Sequence, residues 1–267
     1  MSKKLKFEKF FLPEVNYEEQ SSSDEDISST DEDIPYESPK EEIYEDTRTD
    51  VKFYLVLGPP GSGKSHLSRQ LIIQGFEEKK WDYVIILSVS QEDYQYIDEN
   101  LRFDQEEDFE IKVLQLIQYQ KIQMANAKAQ NRPAPRCLLV VDDPLGSIRW
   151  SKPIWSKIAS TYRQWLINVI IIAQYIAAIP KSFYTCARKA FIFPQPQEDD
   201  YKRVYERFLA RSSNKTGITN YKIAQKRFQD LKEFEFIVVD AARRSENPIT
   251  IGKADPLSNF EHITIGF

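Results

Sequence analysis

The sequence predicts an α/β fold, a mostly parallel central sheet flanked by helices, and three observations carry that prediction. Apolar runs at 51–57, 83–87, 137–143, 169–173 and 190–193 alternate with helical stretches, the pattern of right-handed parallel strand connections. The first run ends in Gly58-Pro-Pro-Gly-Ser-Gly-Lys-Ser65, a glycine-rich turn between a strand and a helix. The third run ends in two adjacent carboxylates, Asp142 and Asp143.

The elements follow in order. Residues 1–50 hold 16 acidic and 6 basic side chains, a net of −10, so the remainder carries +5 within a total of −5. Few large aliphatic residues interrupt the Glu, Asp and Ser of 18–50. Such a segment cannot bury enough apolar surface to offset its conformational entropy, and an acidic, mostly disordered N-terminal tail is expected over 1–50. Ser21, Ser22, Ser23 and Ser29 each precede an acid by three positions, so a phosphorylated docking tail and a plain solubilising tail both fit. The aromatic patch at 7–12 has no assigned contact. One domain is expected over 51–267.

Within it, Leu67, Leu71 and Ile72 lie at helical spacing after the glycine-rich turn, and Gly75 marks the expected helix end. A buried strand at 83–87 follows, then a polar, irregular stretch at 91–110 and a helix at 111–129. Pro133 and Pro135 break the chain before the strand that ends in the acids. Trp155, Ile158, Ala159, Tyr162, Trp165 and Leu166 trace one helix face, predicting a helix over 155–166. The run 169–173 is apolar on both faces, as a central parallel strand is, and closes at Gln174. A short strand at 190–193, basic helices at 198–210 and 221–232, and strands at 235–240 and 249–252 complete the chain.

The glycine-rich turn matches G-x-x-x-x-G-K-[ST] with Gly58, Gly63, Lys64 and Ser65 in the fixed positions. Gly58, Gly61 and Gly63 let consecutive N–H groups point at phosphate oxygens. The helix that begins at Lys64 adds its free N–H groups and dipole. Gly58, Pro59, Pro60, Gly61, Ser62, Gly63, Lys64, Ser65 and His66 are therefore the expected cradle of a nucleoside triphosphate, ATP, with Lys64 on the outer phosphates and Ser65 on Mg2+. The strand-terminal acids suit two tasks at the ligand-binding edge of such a sheet. Asp142 is assigned to the magnesium shell and Asp143 to the attacking water. Gln174 would lie near the γ-phosphate if its strand neighbours the phosphate-loop strand. The fold class is thus a P-loop NTPase of the RecA/ASCE-like kind.

The phosphate loop, the strand ending in Asp142-Asp143 and the strand ending in Ala173-Gln174-Tyr175 together resemble the FtsK–HerA superfamily of DNA-pumping ATPases. Within it the likeness is to the poxvirus-type packaging ATPases of large double-stranded DNA viruses and their relatives in virophages and Polinton-like elements. It spans residues 50–252. The catalytic acid of that superfamily is often Glu, where this chain has Asp143, and nothing in the family accounts for the tail. The resemblance implies a five-stranded core in which the Gln-bearing strand lies between the phosphate-loop and acid-bearing strands. It also implies a homo-oligomeric ring that translocates double-stranded DNA, a capsid or other viral protein as partner, and an arginine that completes a neighbouring subunit's site. Arg163 is the first candidate for that arginine, being off its helix's apolar stripe and ahead of the Gln strand; Arg149 and Arg188 are weaker ones. Lys202, Arg203, Arg207, Arg211, Lys215, Lys222, Lys226, Arg227 and Lys232 are candidate phosphate contacts, since a motor grips the backbone without reading bases. A solvated helix face is the plain alternative.

Other classes fit less of the chain. A nucleoside or nucleotide kinase shares 58–65 but needs an arginine-rich lid and an acceptor pocket. A regulatory GTPase needs Asn-Lys-x-Asp, and Asn214-Lys-Thr-Gly217 lacks the acid. A nucleotide-gated scaffold with little turnover would suit the acidic tail. Cys137 and Cys186 do not amount to a disulfide framework, and no apolar run nears the ~20 residues that cross a bilayer. The opening residues lack a signal-peptide core. A soluble, intracellular protein is expected, and, if the source is viral, one found at the virus assembly site and in the virion.

Overall fold

The computed structural model describes residues 3–6, 51–104, 106–142, 148–210, 216–241, 248–256 and 263–266. The strands are β1 (Lys3–Lys6), β2 (Phe53–Leu57), β3 (Tyr83–Ser88), β4 (Arg102–Phe103), β5 (Cys137–Asp142), β6 (Ile167–Ala173), β7 (Lys189–Ile192), β8 (Glu235–Asp240), β9 (Ile249–Lys253) and β10 (Ile263–Gly266). The helices are α1 (Lys64–Glu77), α2 (Glu106–Ala129), α3 (Pro153–Thr161), α4 (Lys181–Cys186), α5 (Glu198–Val204) and α6 (Tyr221–Gln229).

Eight strands form the main sheet in the order β4-β3-β5-β6-β2-β7-β8-β9. From β4 through β7 every pairing is parallel, and β8 and β9 add antiparallel strands at one side. β2, β3 and β6 are buried along their whole length. Strands covered on both faces by helices have no polar face to present, which is why they read as continuous apolar runs. Among the polar side chains buried in the described residues, Asn168 ties strands together. Asn168 accepts the Lys52 amide at 2.8 Å and donates to the Cys137 carbonyl at 3.2 Å, tying three chain segments together where β6 begins.

The register puts Leu57 opposite Ala173 and Asp142 opposite both Ile172 and Ser88. The carboxyl ends of β2, β3, β5 and β6 therefore share one edge. The Gln-bearing strand β6 lies between β2 and β5, as the resemblance implied.

Several boundaries differ from expectation. Gly75 does not end α1, which continues to Glu77. A Cβ at Gly75 would lie 1.8 Å from the Trp81 ring, so this glycine exists to let a buried tryptophan lie against the helix. The helix expected over 155–166 stops at Thr161. Tyr162, Trp165 and Leu166 are still buried, but through a tight turn in which Leu166 takes φ 54°. The stretch 91–110, read as irregular up to α2, holds helical turns at Glu92–Tyr94 and Glu99–Leu101, strand β4, and the start of a 24-residue α2. The first basic helix becomes α5 plus a π-helical turn, Tyr205–Leu209. Lys3–Lys6, part of the stretch read as tail, pair in parallel with β10 in a separate two-stranded sheet.

Candidate active site

The phosphate loop hangs from the carboxyl end of β2. Its first amide, Gly58 N–H, donates to the Ala173 carbonyl at 3.2 Å, which ties the loop to the strand that ends at Gln174. Gly58 has no room for a side chain, since a Cβ would meet Ser62 Oγ at 2.6 Å and Phe193 Cβ at 2.7 Å. Gly61 and Gly63 take φ 74° and 101°, conformations that favour glycine. Ser62 N–H closes a turn onto the Pro59 carbonyl at 3.3 Å, and Leu67 N–H begins the helical ladder on the Gly63 carbonyl at 3.0 Å. The loop is thus a backbone cradle at the start of a 14-residue helix. Lys64 Nζ folds back over it, donating to the Pro59 carbonyl at 2.9 Å. The His66 ring stacks on Phe234 with centroids 5.5 Å apart and 16° between planes. Phe234 sits close over Gly63, whose Cβ would lie 2.9 Å from its ring.

Asp142 ends β5 on the same edge, and Gln174 follows β6 directly between the acid strand and the phosphate loop. Both side chains are half-buried. Asp143, expected to prime the water, lies outside the described residues, as do Arg211 and Lys215. Two contacts go beyond what the sequence pattern predicts. Ser65 Oγ donates to Asp93 Oδ2 at 3.2 Å, and Tyr94 OH donates to Asp142 Oδ2 at 2.8 Å. Burial, reinforced by the charge of Asp142, pushes the Tyr94 hydroxyl well above its ordinary pKa, so it remains a donor. Neighbouring Tyr96 is also raised by burial, with the Arg69 guanidinium 4.2 Å over its ring opposing the shift.

Asp93 and Tyr94 had a signal in the sequence. They follow a buried strand of a parallel sheet, and ligands collect on every loop at the carboxyl edge. Their contacts to Ser65 and Asp142 span 28 and 48 residues, which no local pattern encodes.

The arginine candidates are elsewhere. Arg163 is exposed in the turn after α3, at the amino end of β6, where Nε donates to Tyr162 OH at 2.9 Å. The seven residues of β6 separate it from Gln174 by roughly 20 Å at about 3.3 Å per residue. It therefore cannot serve its own subunit's loop. Arg188 sits at the same amino edge, 3.9 Å from Asp240. Arg149 is exposed in the connection from β5 to α3.

Lys202, Arg203, Arg207, Lys222, Lys226, Arg227 and Lys232 are all exposed, while Tyr201, Val204, Phe208, Ala224 and Phe228 are buried beneath them. The basic residues thus cover the outer faces of α5, the π turn and α6. Neither thiol suits nucleophilic chemistry. Cys137 is buried in β5 and burial pushes its thiol well up; burial also raises Cys186. Among the described residues no helix is long and apolar enough to cross a membrane.

The site fits a magnesium–nucleotide. Its glycines leave the cradle open and its cation stands over the loop. Magnesium usually keeps several waters and takes one or two carboxylates plus substrate phosphates, so Ser65 and Asp142 are a sufficient protein contribution. The described residues hold no larger cluster of metal-binding side chains.

No protein-family model matches the chain, and no curated protein matches it. Solved structures do. The genome packaging NTPase B204 from Sulfolobus turreted icosahedral virus 2, in complex with ATP-gammaS, matches with a TM-score of 0.57 at 16% identity, over 76% of this chain and 98% of that one. B204, the DNA-packaging ATPase from Sulfolobus turreted icosahedral virus, matches at 0.56 and 15% over 77% and 98%. The cytoplasmic domain of the Thermomonospora curvata type VII secretion ATPase EccC matches at 0.52 and 13%, over 78% of this chain and 27% of that one. At these identities the likeness is one of fold, and the fold is the P-loop ATPase architecture that the resemblance implied.

Proposed function

We propose that this chain is an ATP-hydrolysing motor that translocates double-stranded DNA, packaging it into a viral capsid. The observation that carries the proposal is the convergence at one sheet edge of a complete phosphate loop, Asp142 and Gln174, with β6 between β2 and β5. The viral packaging ATPases that share the fold support the motor reading.

The chemistry follows from the placement. The loop amides and the start of α1 bind the β- and γ-phosphates, and Lys64 exchanges the Pro59 carbonyl for phosphate oxygen. Ser65 and Asp142 hold the cation, which when bound neutralises charge on the phosphates. Asp143 follows the metal-holding acid and orients the attacking water, a role worth about 10²–10⁴ in rate. Gln174 directly follows the strand bonded to Gly58, so a change in phosphate occupancy is transmitted to β6 through one residue. Arg163, on the far edge, is assigned to the site of an adjoining subunit. The exposed basic helices grip DNA phosphates without sequence preference.

The test is steady-state ATP hydrolysis with and without duplex DNA. The proposal expects hydrolysis that rises with DNA of any sequence. Binding of ATP with no turnover under either condition would indicate a scaffold instead.

A further inference from the structure

Resting on the nucleotide reading above, we infer that the loop after β3 positions both side chains that hold the cation, and that the terminal strands hold this loop. One short turn reaches both. Asp93 accepts the Ser65 hydroxyl at 3.2 Å, and the next residue, Tyr94, donates to Asp142 at 2.8 Å. Ser65 lies in the first turn of α1 and Asp142 ends β5, and the sheet register brings these elements to one edge. The loop bonded to both side chains then sets how the two groups face each other.

The two residues differ in character. Tyr94 is buried, and its hydroxyl fixes the orientation of the Asp142 carboxylate by donating to Oδ2. Asp93 is exposed at the mouth of the site. A carboxylate there repels bare phosphate and is tolerated when a cation stands between them. The pair therefore acts on the cation requirement rather than on nucleotide affinity alone.

The far side of the loop is held by the chain's ends. Ile265 N–H donates to the Tyr96 carbonyl at 2.7 Å, and Asp98 N–H donates to the Ile265 carbonyl at 2.8 Å. Ile97 bridges Ile265 in parallel, β10 pairs with β1 beyond it, and both isoleucines are buried. The segment 96–98 thus joins the two-stranded sheet of β1 and β10 through a single parallel bridge at Ile97. An open cleft of about 430 Å³, lined by Tyr96, Asn100, Arg102 and Thr264, runs along this junction between the loop and β10. The two backbone bonds to β10 fix residues 96–98 of the loop.

Tyr94 and Asp93 are positioning residues, so the readout is cation dependence at equilibrium. A fluorescent, non-hydrolysable ATP analogue is titrated with Mg2+ against the full-length chain, with thermal unfolding confirming that each variant is folded. Loss of a group that orients a metal ligand typically costs 10–100-fold in metal affinity. Tyr94→Phe and Asp93→Ala are each expected to raise the Mg2+ midpoint by about tenfold or more, with analogue binding in EDTA unchanged in Tyr94→Phe and tighter in Asp93→Ala, where the repelling carboxylate is gone. Ile265→Pro, which removes the amide that bonds Tyr96, is expected to raise it as well, and adding Tyr94→Phe should then shift it little further. Should Ile265→Pro fail to fold, deletion of 263–267 takes its place. Unchanged midpoints in Tyr94→Phe and Asp93→Ala overturn the positioning role. An unchanged midpoint in the terminal variant, or full additivity with Tyr94→Phe, overturns the clasp. Failure of the wild type to bind the analogue at any Mg2+ would instead sink the nucleotide reading itself.

Discussion

A missing methyl group shapes the helix behind the phosphate loop. Gly75 lies inside α1, and the space its side chain would fill is occupied by the ring of Trp81, which also donates from Nε1 to the Ile72 carbonyl at 3.1 Å. Alanine is the better helix former by about 1 kcal/mol, but overpacking a core costs about 1–3 kcal/mol, and a contact of 1.8 Å to a buried ring cannot relax by rotation. Gly75→Ala is therefore expected to destabilise the domain by about 1–2 kcal/mol in urea unfolding. A more stable variant would show that Trp81 moves freely. The sequence pattern could not reveal this, because a glycine near the end of a helical run reads equally as a cap. The cradle glycines were legible for the opposite reason. Their spacing to Lys64 and Ser65 is local, so the whole constellation lies within 58–65. Asp93 and Tyr94 could be placed only on the right edge, because their contacts to Ser65 and Asp142 are made by the fold and not by local spacing.

The elements repeat that division. β2, β5 and β6 were legible from apolar continuity, and their terminal Gly58, Asp142 and Gln174 marked which edge matters. α3 was overextended because Trp165 and Leu166 continue its buried stripe while the backbone has already turned. Periodicity reports burial, and here a turn buries the same face. β1 escaped notice because Lys-Lys-Leu-Lys has no strand pattern of its own; its pairing is dictated by β10, at the other end of the chain. The basic elements carry a prediction at this scale. Replacing Arg207, Lys226 and Arg227, all exposed, together with Arg211 by alanine should weaken duplex binding equally across sequences. The slope of log affinity against log salt should fall by about 0.9 for each DNA phosphate no longer neutralised. An unaltered slope returns α5 and α6 to the role of a solvated face.

At the scale of the molecule, the topology decides what one subunit can do alone. Nucleotide residues converge on the carboxyl edge, while Arg163 and Arg188 stand at the amino edge of the same sheet. A guanidinium about 20 Å from its own site, by the rise of β6, does not reach its own phosphates, and the proposed function assigns it to the site of an adjoining subunit. In phosphoryl transfer that contribution is worth about 10³–10⁵ in rate. Mixing Arg163→Ala with Lys64→Ala subunits should therefore regain hydrolysis at interfaces that pair the intact halves. Full activity in Arg163→Ala alone assigns the role to Arg149 or Arg188.

The central claim is that turnover at this edge moves duplex DNA. The most direct measurement is displacement of a triplex-forming strand from linear duplex by the full-length protein. The account predicts displacement with Mg-ATP and none with a non-hydrolysable analogue or with Lys64→Ala. ATP hydrolysis stimulated by DNA but without displacement of the third strand would contradict it.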